Sequence, residues 1–107
     1  MDKKKSPIID RNFSRFISKI KKRFRISEAI LFGSRAKGTA KAYSDFDLIL
    51  VSESFRDVGW RKRIEDVVKY WESDLDIDVL PYSPEEFLEK KNSRCIVRQA
   101  VEEGVIV

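Results

Sequence analysis

Two acidic pairs, each with one residue between its members, carry the most chemistry in the sequence: Asp45-Phe46-Asp47 and Asp76-Ile77-Asp78. Side chains alternate across a β-strand, so on a strand each pair sends both carboxylates to one face and the intervening residue to the other. Like charges on one face repel. Leu48, Ile49, Leu50 and Val51 follow the first pair directly, which sets its charges beside a core, at a desolvation cost unless something neutralises them. Hard divalent cations take oxygen ligands and would do so. The second feature is Gly33-Ser34, where a short apolar run feeds a helix. There backbone N–H groups and the Ser34 hydroxyl can converge on a phosphate, with Arg35 and Lys37 as mobile positive charge beside them. The GxxxxGK[ST] spacing of a Walker loop is missing. Carboxylates holding a pair of Mg²⁺ ions opposite a phosphate cradle match two-metal displacement at phosphorus, with the phosphates of an NTP completing the metal shells.

The rest of the composition narrows the chemistry further. The chain has no histidine, which removes imidazole bases, Ser-His triads and His-ligated metals, so acid-base and metal chemistry must rest on carboxylates. The single cysteine, Cys95, can form neither an intrachain disulfide nor a multi-thiolate zinc site, and its apolar neighbours Ile96 and Val97 place it on the buried side of a helix with no role. At 107 residues with 42% apolar content, the chain has the size and composition of one globular domain, spanning 1–107. No apolar run approaches the roughly 20 residues of a membrane helix, and the lysine-rich start lacks a signal-peptide core, so a soluble cytoplasmic protein is expected.

The elements that position these residues follow from periodicity. Phe13, Phe16, Ile17, Ile20 and Phe24 recur at helical spacing and predict an amphipathic helix over 10–25 with Asp10 as N-cap. Residues 29–32 predict a buried strand ended by Gly33, 34–41 a turn and short helix, and 45–52 a second strand covered on both faces. Trp60, Ile64, Val67, Val68 and Trp71 form a second helical stripe, read as core packing. Residues 75–80 return to a period of two and stop at Pro81. Ser83, Pro84 and Glu86 spell a capping box that opens a helix with Phe87 and Leu88 turned inward. A last helix over 94–103 buries Ile96, Val97, Ala100 and Val101, ends at Gly104, and leaves 105–107 as a terminal strand. The sum is an α+β fold, a two-layer sandwich with a short mixed sheet of about four strands flanked by helices.

A third carboxylate is expected from the strand containing LDIDVL, where Asp76 and Asp78 share a face. Asp78 is preferred because Val79 and Leu80 follow it inside the apolar end of the strand, whereas Asp76 stands nearer the polar loop.

The segments FGSRAKG, SDFDLILV and DIDVL, with the ending RQAVEEGVIV, resemble the minimal nucleotidyltransferases of the DNA polymerase β-like superfamily, and the similarity covers nearly the whole chain. The resemblance implies a palm-like fold and a Mg²⁺-dependent enzyme that moves a nucleoside monophosphate, AMP from ATP, onto a hydroxyl. Gly33 and Ser34 would hold the β- and γ-phosphates, assisted by Arg35, Lys37 and Ser44. Asp45 and Asp47 would ligate both Mg²⁺ ions, and Asp78 the catalytic one while helping to deprotonate the acceptor. It also implies a partner, a small all-helical HEPN protein forming a toxin–antitoxin pair, with a tyrosine hydroxyl of the toxin as acceptor.

The alternative is a catalytically silent module that binds nucleotide or partner and acts by covering the toxin. Nucleic-acid binding is a weaker third reading. It rests on cations clustered in the first quarter, among them Lys3, Lys4, Lys5, Arg11, Arg15, Lys19, Lys22 and Arg23, but a net charge of +4 with 18 acidic residues is far from a strongly basic surface.

Overall fold

The computed structural model describes residues 10–38, 45–93 and 95–107. Lys3, Lys4, Lys5 and Ser44 lie outside them.

Helix α1, Arg11–Phe24, begins where the Asp10 carboxylate accepts the Phe13 N–H at 2.8 Å and ends at Arg25, whose φ of 52° is left-handed. Phe13, Phe16, Ile17, Ile20 and Phe24 are buried along one stripe, and the cations of the helix lie outside it. Strand β1 (Glu28–Phe32) leads through helix α2 (Ser34–Lys37) towards β2 (Phe46–Val51). Helix α3 (Trp60–Val68), strand β3 (Ile77–Tyr82), helices α4 (Pro84–Lys91) and α5 (Ile96–Glu103), and strand β4 (Val105–Ile106) follow. The sheet order is β3-β2-β1-β4, with β1 antiparallel to β2 and β4, and β2 parallel to β3. This mixed sheet with its helices is the expected α+β fold.

Side-chain alternation divides the sheet between two cores. Leu31, Phe46, Leu48, Leu50 and Val79 meet α1 and α3 on one face. Ile30, Ile49, Val51 and Tyr82 meet Phe87 of α4 and Val97 and Ala100 of α5 on the other. The apolar run 48–51 is thereby covered on both sides, and Asp47 and Asp78 fall by parity on the α5 face.

Several elements depart from the sequence expectation. Strand β3 starts later and runs through Pro81 to Tyr82 instead of stopping before the proline. It is an edge strand whose even-numbered residues make the ladder bonds, as when Phe46 N–H donates to Asp76 and Ser52 N–H to Tyr82. The N–H that Pro81 lacks would have pointed to the open edge. Leu88 and Ile96, expected inside, are 55% and 62% exposed, because Phe87, Val97 and Ala100, with Val101 packed against them, already cover that core. Helix α5 starts at Ile96 and not two residues earlier, so Cys95 becomes its N-cap and is exposed instead of buried, its thiol donating to the Lys90 carbonyl at 3.2 Å. Gly104 ends α5 in an extended conformation. Glycine is required there by close approach: a Cβ would stand 2.5 Å from the Ala100 carbonyl and 2.8 Å from that of Leu31.

Arg63 was not anticipated at all. Buried at the start of α3, it donates to the Val58 and Pro81 carbonyls and makes a bidentate pair with Glu86, at 2.6 and 3.1 Å. Glu86 is also the N3 residue of the capping box begun by Ser83, so one carboxylate ties α3, the end of β3 and the start of α4 together.

Candidate active site

Gly33 ends β1 with φ 76° and ψ −159°, a conformation open only to glycine at low cost. A Cβ built there would lie 2.5 Å from Oδ2 of Asp47. The bend and the carboxylate are therefore in direct contact, two features that stand fourteen residues apart in the chain. The register explains the meeting: Phe32 at the end of β1 lies opposite Asp47 at the start of β2.

Asp78 is the Cα partner of Asp47 across the parallel β2–β3 pair. Neighbouring strands run roughly 5 Å apart, so the two carboxylates rise side by side from one face. Asp45 precedes β2 and is exposed, where the sequence expectation had it inside the strand. Burial pushes the Asp47 carboxyl above its ordinary value, and the negative charges of Asp78 and then Asp45 push it further. The charges of Asp78 and Asp45 thus both bear on Asp47. Asp76 lies just before β3, and its backbone carbonyl is spent on the Phe46 N–H at 3.0 Å. Asp78, not Asp76, is the β3 acid whose charge reaches Asp47.

The acids share a face without forming a cage: among the described residues, no three His, Cys, Asp or Glu side chains stand close enough to hold a metal ion unaided. Mg²⁺ characteristically takes one or two carboxylates and completes its shell with water and substrate phosphates. A desolvated carboxylate crowded by two like charges is a donor set of that kind, hard, anionic and under-compensated, and it fits a divalent cation bound jointly with a phosphate.

The basic residues of the bend divide. Lys37 lines a cleft of about 250 Å³ together with Gly33, Asp47 and Phe32, and its ammonium stands 3.3 Å from the Glu103 carboxylate on α5. Arg35, expected as mobile charge beside a phosphate, is 2% exposed, and its guanidinium lies 4.1 Å from the centroid of the Phe46 ring. Phe46 points away from Asp45 and Asp47, so Arg35 stacks on the far side of β2 from the carboxylates. Arg35 and Lys37 stand two residues apart on α2, and at about 3.6 residues per turn such positions point roughly 200° apart, to opposite sides of the helix. The Ala36 and Lys37 N–H groups both donate to the Gly33 carbonyl, at 3.1 and 3.2 Å. Those amides close the turn instead of facing a ligand, and Ser34 supplies a hydroxyl in the same turn. The remaining wall of the cleft comes from Ile96, Gln99, Ala100 and Glu103 of α5. Sequence reasoning assigned α5 to packing and missed this wall; its signal was the polar side of the RQAVEEG segment, with Gln99 and Glu103 four residues apart.

A glycine bend lies against one strand carboxylate, with a second carboxylate opposite it across the strand pair, on a mixed four-stranded sheet flanked by helices. The family profile described as "Nucleotidyltransferase domain" matches residues 13–107, and the chain belongs to that family of transferases. It is 40% identical over 78 residues to "Probable protein adenylyltransferase MntA" of Haemophilus influenzae, an alignment that covers 69% of this chain and 67% of the relative. Among solved structures, one from Sulfolobus solfataricus described as a nucleotidyltransferase superposes with a TM-score of 0.63 at 19% identity, covering 89% of this chain and 75% of that one. A toxin–antitoxin crystal structure with AMP-PNP superposes with a TM-score of 0.54 at 20% identity, covering 86% and 69%. At such identities the two structures speak for the fold. No helix among the described residues is long and apolar enough to cross a membrane.

Proposed function

We propose that this chain is a Mg²⁺-dependent adenylyltransferase that moves AMP from ATP to a hydroxyl on a protein partner, a tyrosine of a small helical HEPN toxin in a cytoplasmic toxin–antitoxin pair. The observation that carries the reading is the contact of the Asp47 carboxylate with the Gly33 bend, with Asp78 beside it across the strand register. The name of the Haemophilus relative and the AMP-PNP complex support the substrate and partner classes by analogy.

In this reading Gly33 lets the triphosphate approach the backbone where any side chain would block it. Ser34 and Lys37 bind the β- and γ-phosphates, with Ser44 assisting, and Lys37 leaves Glu103 to do so. Arg35 acts from behind, packing Phe46 so that Asp45 and Asp47 keep their common direction. Asp45, Asp47 and Asp78 would hold the divalent cations, which when bound offset the charge on the phosphates and on the departing pyrophosphate. Asp78 accepts the proton of the acceptor hydroxyl. The hydroxyl oxygen bonds to the α-phosphorus as the α–β bridging P–O bond breaks.

The test is incubation of the chain and its candidate partner with Mg²⁺ and either α- or γ-labelled ATP. Transfer of α-label alone, abolished by Asp45→Asn with Asp47→Asn, is the expected result. A partner that is bound and silenced without any label favours the competing reading, a silent nucleotide-binding and partner-binding module. That reading draws on the same comparison with a toxin–antitoxin complex.

A further inference from the structure

We propose that the α5 wall of the cleft is a nucleobase seat that selects a 6-aminopurine, with Ile96 as its apolar platform and Gln99 as the residue that reads the base. The inference rests on the nucleotidyltransferase reading of the same cleft and extends it from the phosphates to the base.

The cleft has two unlike halves. Gly33, Lys37 and Asp47 form a charged half suited to phosphate, whereas Phe32, Ile96 and Ala100 make the other half apolar. Ile96 is 62% exposed, although Val97 and Ala100 of the same helix are buried. A large aliphatic side chain held in water at the lip of a phosphate-binding cleft offers a flat heterocycle a surface to cover.

The polar edge of that half is ordered by a short network. Gln99 Nε2 donates to Glu103 Oε2 at 3.3 Å, and the Lys37 ammonium pairs with Glu103 Oε1, also at 3.3 Å. Only the NH₂ arm of the amide can donate to a carboxylate, so this bond sets the direction of the planar group. The carbonyl oxygen of Gln99 occupies the other arm and is an acceptor. An acceptor there matches the 6-amino group of adenine and opposes the 6-oxo group of guanine or hypoxanthine. Because Glu103 also holds Lys37, the network joins the base end of the cleft to its phosphate end.

The experiment is calorimetric titration of the full chain in Mg²⁺ with ATP, with ITP, which carries a 6-oxo group in place of the 6-amino group, and with inorganic tripolyphosphate. Wild type should prefer ATP over ITP by about tenfold, the scale of one well-placed base contact. Gln99→Ala should bring that ratio to about one, and Ile96→Ser should weaken both nucleotides severalfold while leaving the ratio. All three proteins should bind tripolyphosphate alike and melt at the same temperature, since both side chains are exposed. A wild-type ratio near one, or a ratio that survives Gln99→Ala, overturns the base seat while the phosphate site stands. Failure to bind tripolyphosphate and both nucleotides overturns the seat and the reading beneath it together.

Discussion

Replacing Gly33 by alanine separates the two demands that meet at the bend. The first is conformational: φ 76° with ψ −159° costs a residue bearing a Cβ about 1–3 kcal/mol. The second is steric, because the new methyl would lie 2.5 Å from Oδ2 of Asp47, inside any real contact, so the carboxylate must retreat by at least about 0.5 Å. Asp47 is only half-buried, so it can rotate away cheaply, and the backbone carries most of the stability loss. For a domain of this size each kcal/mol lowers Tm by roughly 4–8 °C. Transfer should suffer more than stability, since a misplacement approaching 1 Å at a reacting centre costs about a hundredfold. A double-mutant cycle with Asp47→Ala, read by urea denaturation, isolates the clash. The penalty of Gly33→Ala should persist largely undiminished once the carboxylate is gone, with a coupling well under 1 kcal/mol. If Gly33→Ala left both the melting curve and the labelling rate at wild-type values, the claim that this bend requires glycine, by its backbone conformation and by its approach to Asp47, would be wrong.

Asp47 should also be a site where function costs stability. Its folded pKa lies above the ordinary 3.8, so the fold is favoured below that pH and loses that advantage as pH rises through the folded value. In chelator-treated buffer at neutral pH, Asp47→Asn should therefore melt above wild type, the gap closing below pH 3.8; equal melting temperatures at neutral pH would contradict the burial and crowding described. Glu86 behaves oppositely. Hydrogen bonding from Arg63 holds its carboxyl down at about 2, so its contribution is full above 4.5 and fades as pH falls towards 2. Arg63→Met should cost about 1–3 kcal/mol at neutral pH and flatten that acid limb, with the effect moderated because the Glu86 side chain is 45% exposed. A limb of unchanged steepness in urea midpoints against pH would point to other acids. Finally, Cys95 should react fully with a thiol reagent in the native state, where a buried cysteine would wait for denaturant.

The carboxylate and glycine-bend half of the candidate site was legible because its signals are local and of low order. Asp-x-Asp on a strand dictates a shared face by alternation alone, and a glycine between an apolar run and a helix marks a bend. The choice of Asp78 over Asp76 followed from which residue stood inside the strand, and the register sets it opposite Asp47. The stripe of α1 was equally plain, because burial of Phe13, Phe16, Ile17 and Ile20 is written in their spacing.

Other features depend on partners far along the chain. Nothing near Arg35 tells that it lies over Phe46, or near Arg63 that Glu86 waits twenty-three residues on. Leu88 and Ile96 read as core because periodicity reports which residues could be buried, whereas burial itself depends on how much sheet remains to be covered. The sequence by itself determined the class of chemistry, carboxylates and a glycine bend with no imidazole, and the elements bearing them. Only the tertiary structure decided which cations face the carboxylates, which apolar groups stay in water, and that α5 closes the cleft. Those outcomes are set by strand register and by competition among elements for the same two sheet faces, interactions that no local window of residues contains.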